Sequence, residues 1–393
     1  MINKVIEGYL PQLTAIRHDI HQHPELGFEE FRTSDLVADY LSSWGYEVHR
    51  GLAGTGVVGT LRVGDGVKRL GLRADMDALP IEENNGKPWS SSVANRMHAC
   101  GHDGHTTMLL GAARYLAQTR LFNGTLHLIF QPAEEMLNGG ARMVEQGLFE
   151  RFPCDAIFAM HNMPGMPLGE FFFRHGPFMA SMDQFNVRVQ GRGGHGAIPQ
   201  LAVDPVLVAS HITVALQSIV SRNIDPLEAA VITVGSIKAG EAANVIPDSA
   251  EMKLSVRSLD RQARATLLAR IPALIEAQAA SFGAHATVEH VNGTPVLVND
   301  EAMTRFAHRV AQQQFGAARA HYGARPLMGS EDFAFMLDAH PQGCYLIIGN
   351  GNGNGNGDGE GSCMVHNPGY DFNDGCLAAG SQYWGALAEA YLK

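Results

Sequence analysis

The segment TLHLIFQPAEE, residues Thr125–Glu135, joins a strand-like apolar run directly to two adjacent carboxylates. Two other strand-like runs also lead into polar residues: Arg69–Ala74 precedes Asp75 and Asp77, and Asp155–His161 ends on a histidine. Binding sites in open α/β sheets form just past the carboxyl ends of the strands. We therefore expect these polar side chains to meet at one edge of a sheet.

The surrounding sequence predicts an α/β domain. Helix-like runs such as His102–Thr119 alternate with strand-like runs from Leu52 to about His175, which is typical of an α/β layer with a largely parallel sheet. Polar candidates resume much later, at Gly329–Asp332 and His366. This return indicates that the last part of the chain belongs to the same domain.

The middle of the chain has a different pattern. Between about residues 179 and 292 the predicted elements follow the order β, α, β, β, α, with a further strand at Ala286–His290. This order is typical of a compact split βαβ sandwich. We therefore expect two domains: a discontinuous domain of residues 1–178 and 293–393, and an α+β domain of residues 179–292 inserted into it.

Composition restricts the classes of partner. The 393 residues are 45% hydrophobic and 18% charged, with a formal charge of −11 and no basic run, which argues against a nucleic-acid partner. No apolar stretch approaches the roughly 20 residues of a membrane-spanning helix, and the N-terminal segment lacks the pattern of a signal peptide. We expect a cytoplasmic protein that acts on small molecules. The five cysteines are an odd, dispersed set, so no disulfide framework is predicted.

The octapeptide HACGHDGH, His98–His105, has the sharpest local pattern for metal binding. Cys100 and His102 can point at one metal ion if the chain turns sharply between them, and Gly101 permits such a turn. The alternative is that Cys100 is a buried packing residue, which is the commoner role of a single cysteine.

Further candidates are a pair of glutamates and two histidines. Glu134 and Glu135 project in different directions after their strand, so one can bind a metal ion while the other transfers protons; a solvated turn is the alternative. His161 and His366 could each be structural, the commoner role of a lone histidine. Sulfur, nitrogen and oxygen donors for two metal ions, with one bridging ligand, are offered by this set together: Cys100, His102, Glu135, His161 and His366.

The chain resembles the amidohydrolase branch of the M20 metallopeptidase family, which includes hippurate hydrolases, N-acyl-amino-acid amidohydrolases and plant auxin-conjugate hydrolases. The resemblance covers essentially the whole length, and its motifs are highly specific in combination. They are IRHDIHQHPELGFEE (Ile16–Glu30), RADMDALP (Arg73–Pro80), HACGHDGH, FQPAEE (Phe130–Glu135), the strand end at His161, GRGGHGAIP (Gly191–Pro199), ANVIPDSA (Ala243–Ala250), GSEDF (Gly329–Phe333) and HNP (His366–Pro368).

This resemblance implies a two-domain α/β fold. It combines a zinc-exopeptidase-like catalytic domain with an inserted ferredoxin-like α+β domain that acts as a lid and mediates dimerisation. It also implies two divalent metal ions per subunit, drawn from Zn²⁺, Mn²⁺, Co²⁺ and Ni²⁺. Cys100 would bridge them, with His102 and His161 completing one site and Glu135 and His366 the other.

The resemblance further implies catalytic roles. Glu134 would be the general base, and His195 from the inserted domain of a second subunit would stabilise the oxyanion. Asn244 and Arg257 would hold the substrate carboxylate. The broader family often has a histidine and an aspartate after the first strand, where this chain has two aspartates, so we assign Asp77 a supporting role. From the residues alone, His195 could instead lie in an incidental glycine-rich turn and Arg257 in a surface ion pair.

The predicted function is metal-dependent hydrolysis of the amide bond in N-acyl or N-aroyl amino acids of the hippurate type. We expect a homodimer or a dimer-based oligomer with no nucleic-acid or membrane partner. One alternative is a dipeptidase or exopeptidase of the same family. Another is a metal-stabilised binding protein without catalysis, although metal retention alone does not require Glu134 beside Glu135.

One low-complexity tract stands outside these motifs. Residues Gly349–Gly361 alternate glycine with Asn, Asp or Glu and cannot hold a packed core. They are predicted to form a mobile surface loop, either a linker or a lid near His366.

Overall fold

The computed structural model describes residues 2–135, 138–340, 342–351, 361 and 363–393. The helices are α1 (Ile2–Glu7), α2 (Leu10–Gln22), α3 (Phe31–Ser43), α4 (His102–Thr119), α5 (Gly139–Glu145), α6 (Leu148–Arg151), α7 (Pro205–Asn223), α8 (Arg261–Ser281), α9 (Glu301–Phe315), α10 (Phe333–Ala339) and α11 (Gly375–Tyr391). The strands are β1 (Glu47–Leu52), β2 (Gly56–Val63), β3 (Arg69–Asp75), β4 (Gly124–Gln131), β5 (Ala156–Pro164), β6 (Phe171–Phe173), β7 (Gly176–Met179), β8 (Ser181–Gln190), β9 (Gly194–His195), β10 (Ala230–Lys238), β11 (Val245–Ile246), β12 (Ser249–Ser258), β13 (His285–Thr294), β14 (Leu297–Asn299), β15 (Ala320–Tyr322) and β16 (Gly343–Gly351). Among the described helices, none combines the length and apolar character needed to cross a membrane.

The chain divides into two compact units. The first contains Met1–Gly176, Val298–Arg325 and Asp332–Lys393, and the second contains Pro177–Leu297 and Pro326–Glu331. The assignment of a catalytic domain to residues 1–178 and 293–393, and of a lid and dimerisation domain to residues 179–292, stays a prediction.

An eight-stranded sheet forms the centre of the first unit, in the order β1-β2-β4-β3-β5-β16-β6-β15. Its central pairs, β4 with β3, β3 with β5 and β5 with β16, are parallel, as predicted. β1 and β2 form an antiparallel edge, and β6 runs antiparallel to β16. The sheet is therefore mixed, and its parallel part contains β3, β4 and β5, the three strands expected to carry the site.

The central strands are buried along most of their length because both faces of the sheet are covered. Every residue of β16 and all but one of β5 are buried, which is typical of parallel strands between two layers of helices. Leu109 of α4, Leu128 of β4 and Trp384 of α11 belong to one buried cluster. This core holds the strand ends and the first turn of α4 in place.

The second unit contains an antiparallel sheet in the order β10-β12-β8-β13. Residues of β8 and β12 are buried in alternation, and they share a separate core with Ile212 of α7 and Ile271 of α8. One face of the sheet is therefore covered by helices. The observed order β8, α7, β10, β12, α8, β13 is the predicted one, and β9 and β11 form an additional two-stranded sheet.

The prediction of a surface loop at Gly349–Gly361 is wrong at its start. Gly349, Asn350 and Gly351 complete β16 and are buried. The Asn350 side chain accepts a hydrogen bond from the backbone of Asn373 and donates one to the carbonyl oxygen of Asp371. These long-range contacts stabilise a strand that the local composition disfavours. Residues 352–360 of the tract lie outside the described residues.

Candidate metal centre

Side chains from four segments of the first unit converge at the ends of the parallel strands. Asp77 follows β3, Glu134 and Glu135 follow β4, and His161 lies in the last half of β5. Helix α4 begins at His102. Neighbouring parallel strands end at the same edge of a sheet, so segments distant in sequence deliver their polar residues to one place.

Gly101 allows Cys100 and His102 to meet at this place. It precedes α4 in the left-handed conformation, with φ 93°. A Cβ atom at this position would lie 2.3 Å from Nδ2 of Asn162. Glycine is therefore required both for the backbone conformation and for the close approach, and the predicted sharp turn is confirmed.

The five predicted metal ligands lie together. Sγ of Cys100 lies 3.3 Å from Nε2 of His161, and Nε2 of His366 lies 3.2 Å from Oε1 of Glu135. Nε2 of His102 lies 3.9 Å from the same Glu135 oxygen. The donor atoms form two groups, each within 4.8 Å: Cys100, His102 and His161, and Cys100, Glu135 and His366. Cys100 is common to both groups, as a bridging ligand must be.

The electrostatics of this cluster suit cations. Burial raises the pKa of the Cys100 thiol well above its usual range, and the charges of Glu135 and Glu134 raise it further. Burial lowers the pKa of His161 well below its ordinary value, so its ring is neutral, as a metal ligand must be. Nε2 of His102 is buried and has no hydrogen-bond partner in the described part of the chain. Divalent ions fit this donor set, because they would stabilise a thiolate and accept this nitrogen as a ligand.

Asp77 contacts the backbone amides of the glutamate pair and the ring of His102, a predicted metal ligand. Its Oδ1 accepts a hydrogen bond from the amide of Glu134 at 3.0 Å, and its Oδ2 accepts one from the amide of Glu135 at 2.9 Å. Oδ1 also lies 3.2 Å from Nδ1 of His102. Burial lowers the pKa of His102, but the charge of Asp75 and the hydrogen bond to Asp77 outweigh it and raise that pKa to about 10. Through its contact with Nδ1, Asp77 is placed to orient the ring, so that Nε2 can bind a metal ion once it releases its proton.

A second histidine–carboxylate pair lies beside the ligands, and its contribution was not predicted from the sequence. Nδ1 of His105 lies 2.6 Å from Oδ1 of Asp75, and its Nε2 accepts a hydrogen bond from the backbone of Asn162. Asn162 also donates to the carbonyl oxygen of Cys100 at 2.7 Å and accepts from the hydroxyl of Tyr370 at 2.8 Å. Residues three apart on a helix lie on one side of it, so the position of His105 after His102 was the available signal.

His366 is the ligand that comes last in the chain, and its backbone is held beside the others. It has a positive φ of 65°. Its N–H donates to the carbonyl oxygen of Ala99 at 2.7 Å, next to Cys100. Its side chain is 52% exposed, unlike the buried rings of His102 and His161. His366 therefore lies on the solvent side of the cluster.

His195, predicted to stabilise the oxyanion, and Asn244, predicted to bind substrate, are neighbours in the second unit. His195 on β9 pairs with Val245 on β11, next to Asn244. The N–H of Gly196 donates to the carbonyl oxygen of Asn244 at 2.8 Å. Nδ1 of His195 accepts a hydrogen bond from the N–H of Ala197 at 3.1 Å. The neutral ring therefore carries its proton on Nε2 and can donate from that atom.

Arg257 belongs to a different sheet of the second unit. It lies on β12, where its guanidinium donates to the carbonyl oxygen of Met328 at 2.7 Å. Burial lowers the pKa of this half-buried group. Its role as a substrate-carboxylate ligand stays a prediction.

The histidines of HQHPELG make structural contacts in the described part of the chain. His21 lies in the last turn of α2, and His23 follows the end of that helix. His21 is buried, with Nδ1 2.8 Å from Oδ2 of Asp103 and Nε2 3.0 Å from Oε1 of Glu83. Nδ1 of His23 lies 2.8 Å from the carbonyl oxygen of Asp19. His21 thus stabilises the fold through its contacts with two carboxylates.

Comparison with known proteins agrees with this geometry. Residues 71–390, which contain all five donor residues, match peptidase family M20/M25/M40. Hippurate hydrolase from Campylobacter jejuni is 46% identical over 382 residues, which cover 97% of this chain and 97% of that protein. N-acetyl-L-cysteine deacetylase from Bacillus subtilis is 39% identical over 343 residues, which cover 86% of this chain and 80% of that protein.

A solved structure is also similar to this chain over nearly its whole length. The Bacillus subtilis protein described as a dinuclear metal-binding peptidase of the M20 family has a TM-score of 0.82 to this chain at 31% identity. The match covers 98% of this chain and 99% of the other. This chain therefore belongs to peptidase family M20/M25/M40, in the amidohydrolase branch of M20, and is a metal-dependent enzyme that hydrolyses linear amides.

Proposed function

We propose that this chain hydrolyses the amide bond of N-acyl or N-aroyl amino acids of the hippurate type, releasing a carboxylic acid and a free amino acid. The observation that carries the proposal is the convergence of five donor side chains beside Glu134, a buried carboxylate adjacent in sequence to one of them. Relatives named for hippurate and for N-acetyl-L-cysteine support this substrate class. Both names describe an acyl group on the nitrogen of an amino acid.

Two divalent ions per subunit would be held by the two donor groups that share Cys100. His102 and His161 complete one group, and Glu135 and His366 complete the other. A thiolate suits Zn²⁺, whereas carboxylate and imidazole donors also accept Mn²⁺, Co²⁺ or Ni²⁺. When bound, such ions polarise a carbonyl oxygen and make water easier to deprotonate.

Glu134 is the proposed general base. One of its carboxylate oxygens lies within 4.8 Å of donor atoms of His102 and Glu135, and Asp77 holds its backbone amide. The carboxylate accepts a proton from water as the new C–O bond forms at the amide carbon. It then delivers that proton to the nitrogen as the C–N bond breaks, so the amine leaves neutral and Glu134 regains its charge.

His195 is the proposed oxyanion donor, supplied by a second subunit. Because Nδ1 accepts a hydrogen bond from Ala197, Nε2 carries the proton that a developing negative oxygen would bind. Losing one such donor costs about 3–4 kcal/mol of transition-state stabilisation in well-studied hydrolases. Asn244 and Arg257 are proposed to hold the substrate carboxylate, for which a guanidinium offers two parallel hydrogen bonds.

The proposed assembly is a homodimer formed through the second unit. Helix α7 exposes apolar side chains, including Val206, Leu207 and Val214, which a second copy would cover. This contact would be needed for His195 of one subunit to act on its partner. The cytoplasmic location and the lack of a nucleic-acid or membrane partner also stay predictions.

The proposal is tested with purified protein that is stripped of metal and reconstituted separately with Zn²⁺, Mn²⁺, Co²⁺ or Ni²⁺. Each form is assayed on hippurate, N-acetylcysteine and glycylglycine. We expect turnover of an acylated amino acid with at least one metal and its loss on chelation. Cleavage of glycylglycine alone would identify a dipeptidase, and metal binding with no turnover of any substrate would identify a binding protein; both results contradict the proposal.

A further inference from the structure

The backbone of residues 132–135 is held by an unusual set of contacts. Ala133 has a φ of 56°, in the left-handed region that residues with a Cβ rarely adopt. Three consecutive amide N–H groups, those of Ala133, Glu134 and Glu135, each donate to a carboxylate oxygen. Asp77 accepts the last two, and Glu30 accepts the first at 2.8 Å. The conformation of this segment therefore depends on two carboxylates from distant parts of the chain.

Glu30 does not act as a helix cap, although it immediately precedes α3. Its side chain makes no capping hydrogen bond. The second and third amides of this helix, those of Arg32 and Thr33, donate instead to the carboxylate of Glu25 at 2.9 and 2.8 Å. The Glu30 carboxylate is directed elsewhere: its Oε1 accepts from Ala133, and its Oε2 accepts from the hydroxyl of Thr55 at 2.6 Å.

The burial of Glu30 is costly and calls for a reason. The residue is 0% exposed, and its hydrogen-bond partners in the described part of the chain are an amide and a hydroxyl rather than a cation. Burial raises the pKa of Glu30 to about 7, with hydrogen bonding from Thr55 opposing the effect and the charge of Asp77 adding to it. A buried carboxylate without a cationic partner is a net cost to folding. The contact of Glu30 with Ala133 offers a functional reason for this cost.

The carbonyl group of Ala133 also has little room for relaxation. The carbonyl oxygen of Ala133 accepts a hydrogen bond from Gly139 at the start of α5. A Cβ atom at Gly139 would lie 1.7 Å from the carbonyl oxygen of Pro132, so this close approach requires glycine. Ala133 is thus held at its N–H by Glu30 and at its carbonyl by Gly139. The direction in which the chain enters Glu134 is set between these two contacts.

We propose that Glu30 is a positioning residue for Glu134: by holding the Ala133 amide it keeps Ala133 in the left-handed conformation that orients Glu134 and Glu135 relative to each other. The inference rests on the proposed role of Glu134 as the general base. It assigns a function to the GFEE part of the N-terminal motif, which contributes no metal donor. A side chain that orients a catalytic group in this way affects turnover more than substrate binding.

The first test compares Glu30→Ala with Glu30→Gln. Loss of a supporting contact typically reduces activity by about 10- to 100-fold, and we expect a fall of this size in kcat for Glu30→Ala, with KM for hippurate and bound metal unchanged. Glutamine keeps an oxygen that accepts from Ala133, so Glu30→Gln should retain kcat within about 3-fold of the unchanged protein. Glu29→Gln, at an exposed neighbour that pairs with Arg96, is the matched control.

A direct structural readout does not depend on activity. Hydrogen–deuterium exchange of a peptide covering residues 131–135, measured on the metal-loaded protein, should be faster in Glu30→Ala than in Glu30→Gln or Glu29→Gln. Ala133→Gly provides a second check, because glycine reaches positive φ without a Cβ clash. In the Ala133→Gly variant, adding Glu30→Ala should therefore lower kcat by a smaller factor than it does in the unchanged protein.

The outcomes separate this inference from the proposed function. If Glu134→Ala is inactive while Glu30→Ala keeps full kcat, only the inference fails. It also fails if Glu30→Gln loses as much kcat as Glu30→Ala, or if both variants lose bound metal and melting temperature in parallel with activity, since those results indicate a requirement for charge or a general structural role. If Glu134→Ala retains turnover, the proposed function itself is wrong.

Discussion

Oε1 of Glu135 lies 3.2 Å from Nε2 of His366, although the segment Pro177–Leu297 of the second unit separates these two residues in the sequence. Burial raises the pKa of Glu135, but the hydrogen bond from His366 and the charge of His102 outweigh burial and lower the pKa overall. The carboxylate is therefore held in the charged form that a metal ion binds. Through this contact the last part of the chain completes a site built mainly from residues 77–161.

Replacing Glu134 should separate chemistry from metal binding. We expect Glu134→Gln to lower kcat for hippurate by at least about 100-fold, because general acid–base catalysis commonly contributes that much. The neutral amide cannot accept the water proton. Bound metal, measured by elemental analysis, should be unchanged. Glu145→Gln, an exposed position on α5, should behave as the unchanged protein, and an active Glu134→Gln would refute the assignment of the base.

Asp77→Asn should weaken both metal binding and turnover. An asparagine has one acceptor oxygen, so it cannot serve the amides of Glu134 and Glu135 and the ring of His102 together. Removing a carboxylate that orients a metal-binding histidine commonly lowers metal affinity by about 10- to 100-fold. Titration with a competing chelator measures this loss, and Asp65→Asn, at an exposed loop position, is the control. Unchanged affinity and kcat would show that Asp77 does not support the ligands.

Folding stability should depend on the protonation of His21. Burial lowers the pKa of His21, but the charge of Asp103 and the hydrogen bonds to Asp103 and Glu83 outweigh it and raise that pKa to about 9. A histidine whose pKa is higher in the folded than in the unfolded state stabilises the folded state. The full stabilisation is present at pH values below the unfolded-state pKa of about 6.5. This contribution, on the order of 3 kcal/mol, is lost as the pH rises from there through about 9.

Urea unfolding between pH 6 and 9.5, at a fixed free metal concentration, tests this dependence. We expect the unfolding free energy to fall with rising pH in the unchanged protein and less steeply in His21→Gln. His23→Gln, whose ring contacts only the end of α2 in the described hydrogen bonds, should keep the original slope. Equal slopes in all three proteins would contradict the predicted role of His21.

A mixed dimer tests whether His195 acts across subunits. In heterodimers of Glu134→Ala and His195→Ala chains, one of two sites would combine an intact Glu134 with an intact His195. Random mixing should then restore about a quarter of the original activity. Glu134→Ala mixed with Cys100→Ser is the control, because both changes affect residues that one subunit supplies to its own site. Recovery in neither mixture would place His195 outside the partner's site.

The helices and strands of this protein are largely predictable from local pattern. Helix α4 has the predicted bounds, His102–Thr119, and the observed β3, β4 and β5 differ from the predicted strands by a few residues at their ends. Hydrophobic periodicity and the glycine before α4 are local properties, so they can be recognised in one stretch of sequence. The error at Gly349–Gly351 comes from contacts with distant parts of the chain. Pairing with β5 and β6 and the hydrogen bonds of Asn350 stabilise a strand there, although the local composition favours a loop.

The supporting contacts of the site were not predictable in the same way. Asn162 carries no motif of its own, and its importance comes from contacts with His105, Cys100 and Tyr370. Glu30 stands in a recognised motif, but nothing near it in sequence indicates that its partner is the amide of Ala133.

The sequence by itself determined the types of donor, the α/β class and the order of elements, because spacing, turn residues and periodicity act over a few neighbouring positions. Only the tertiary structure decided that Cys100 lies in both donor groups and that Glu30 and Asp77 hold the backbone that carries Glu134. Such contacts depend on which strands become neighbours in the sheet, and that choice results from packing of the whole core rather than from any single segment.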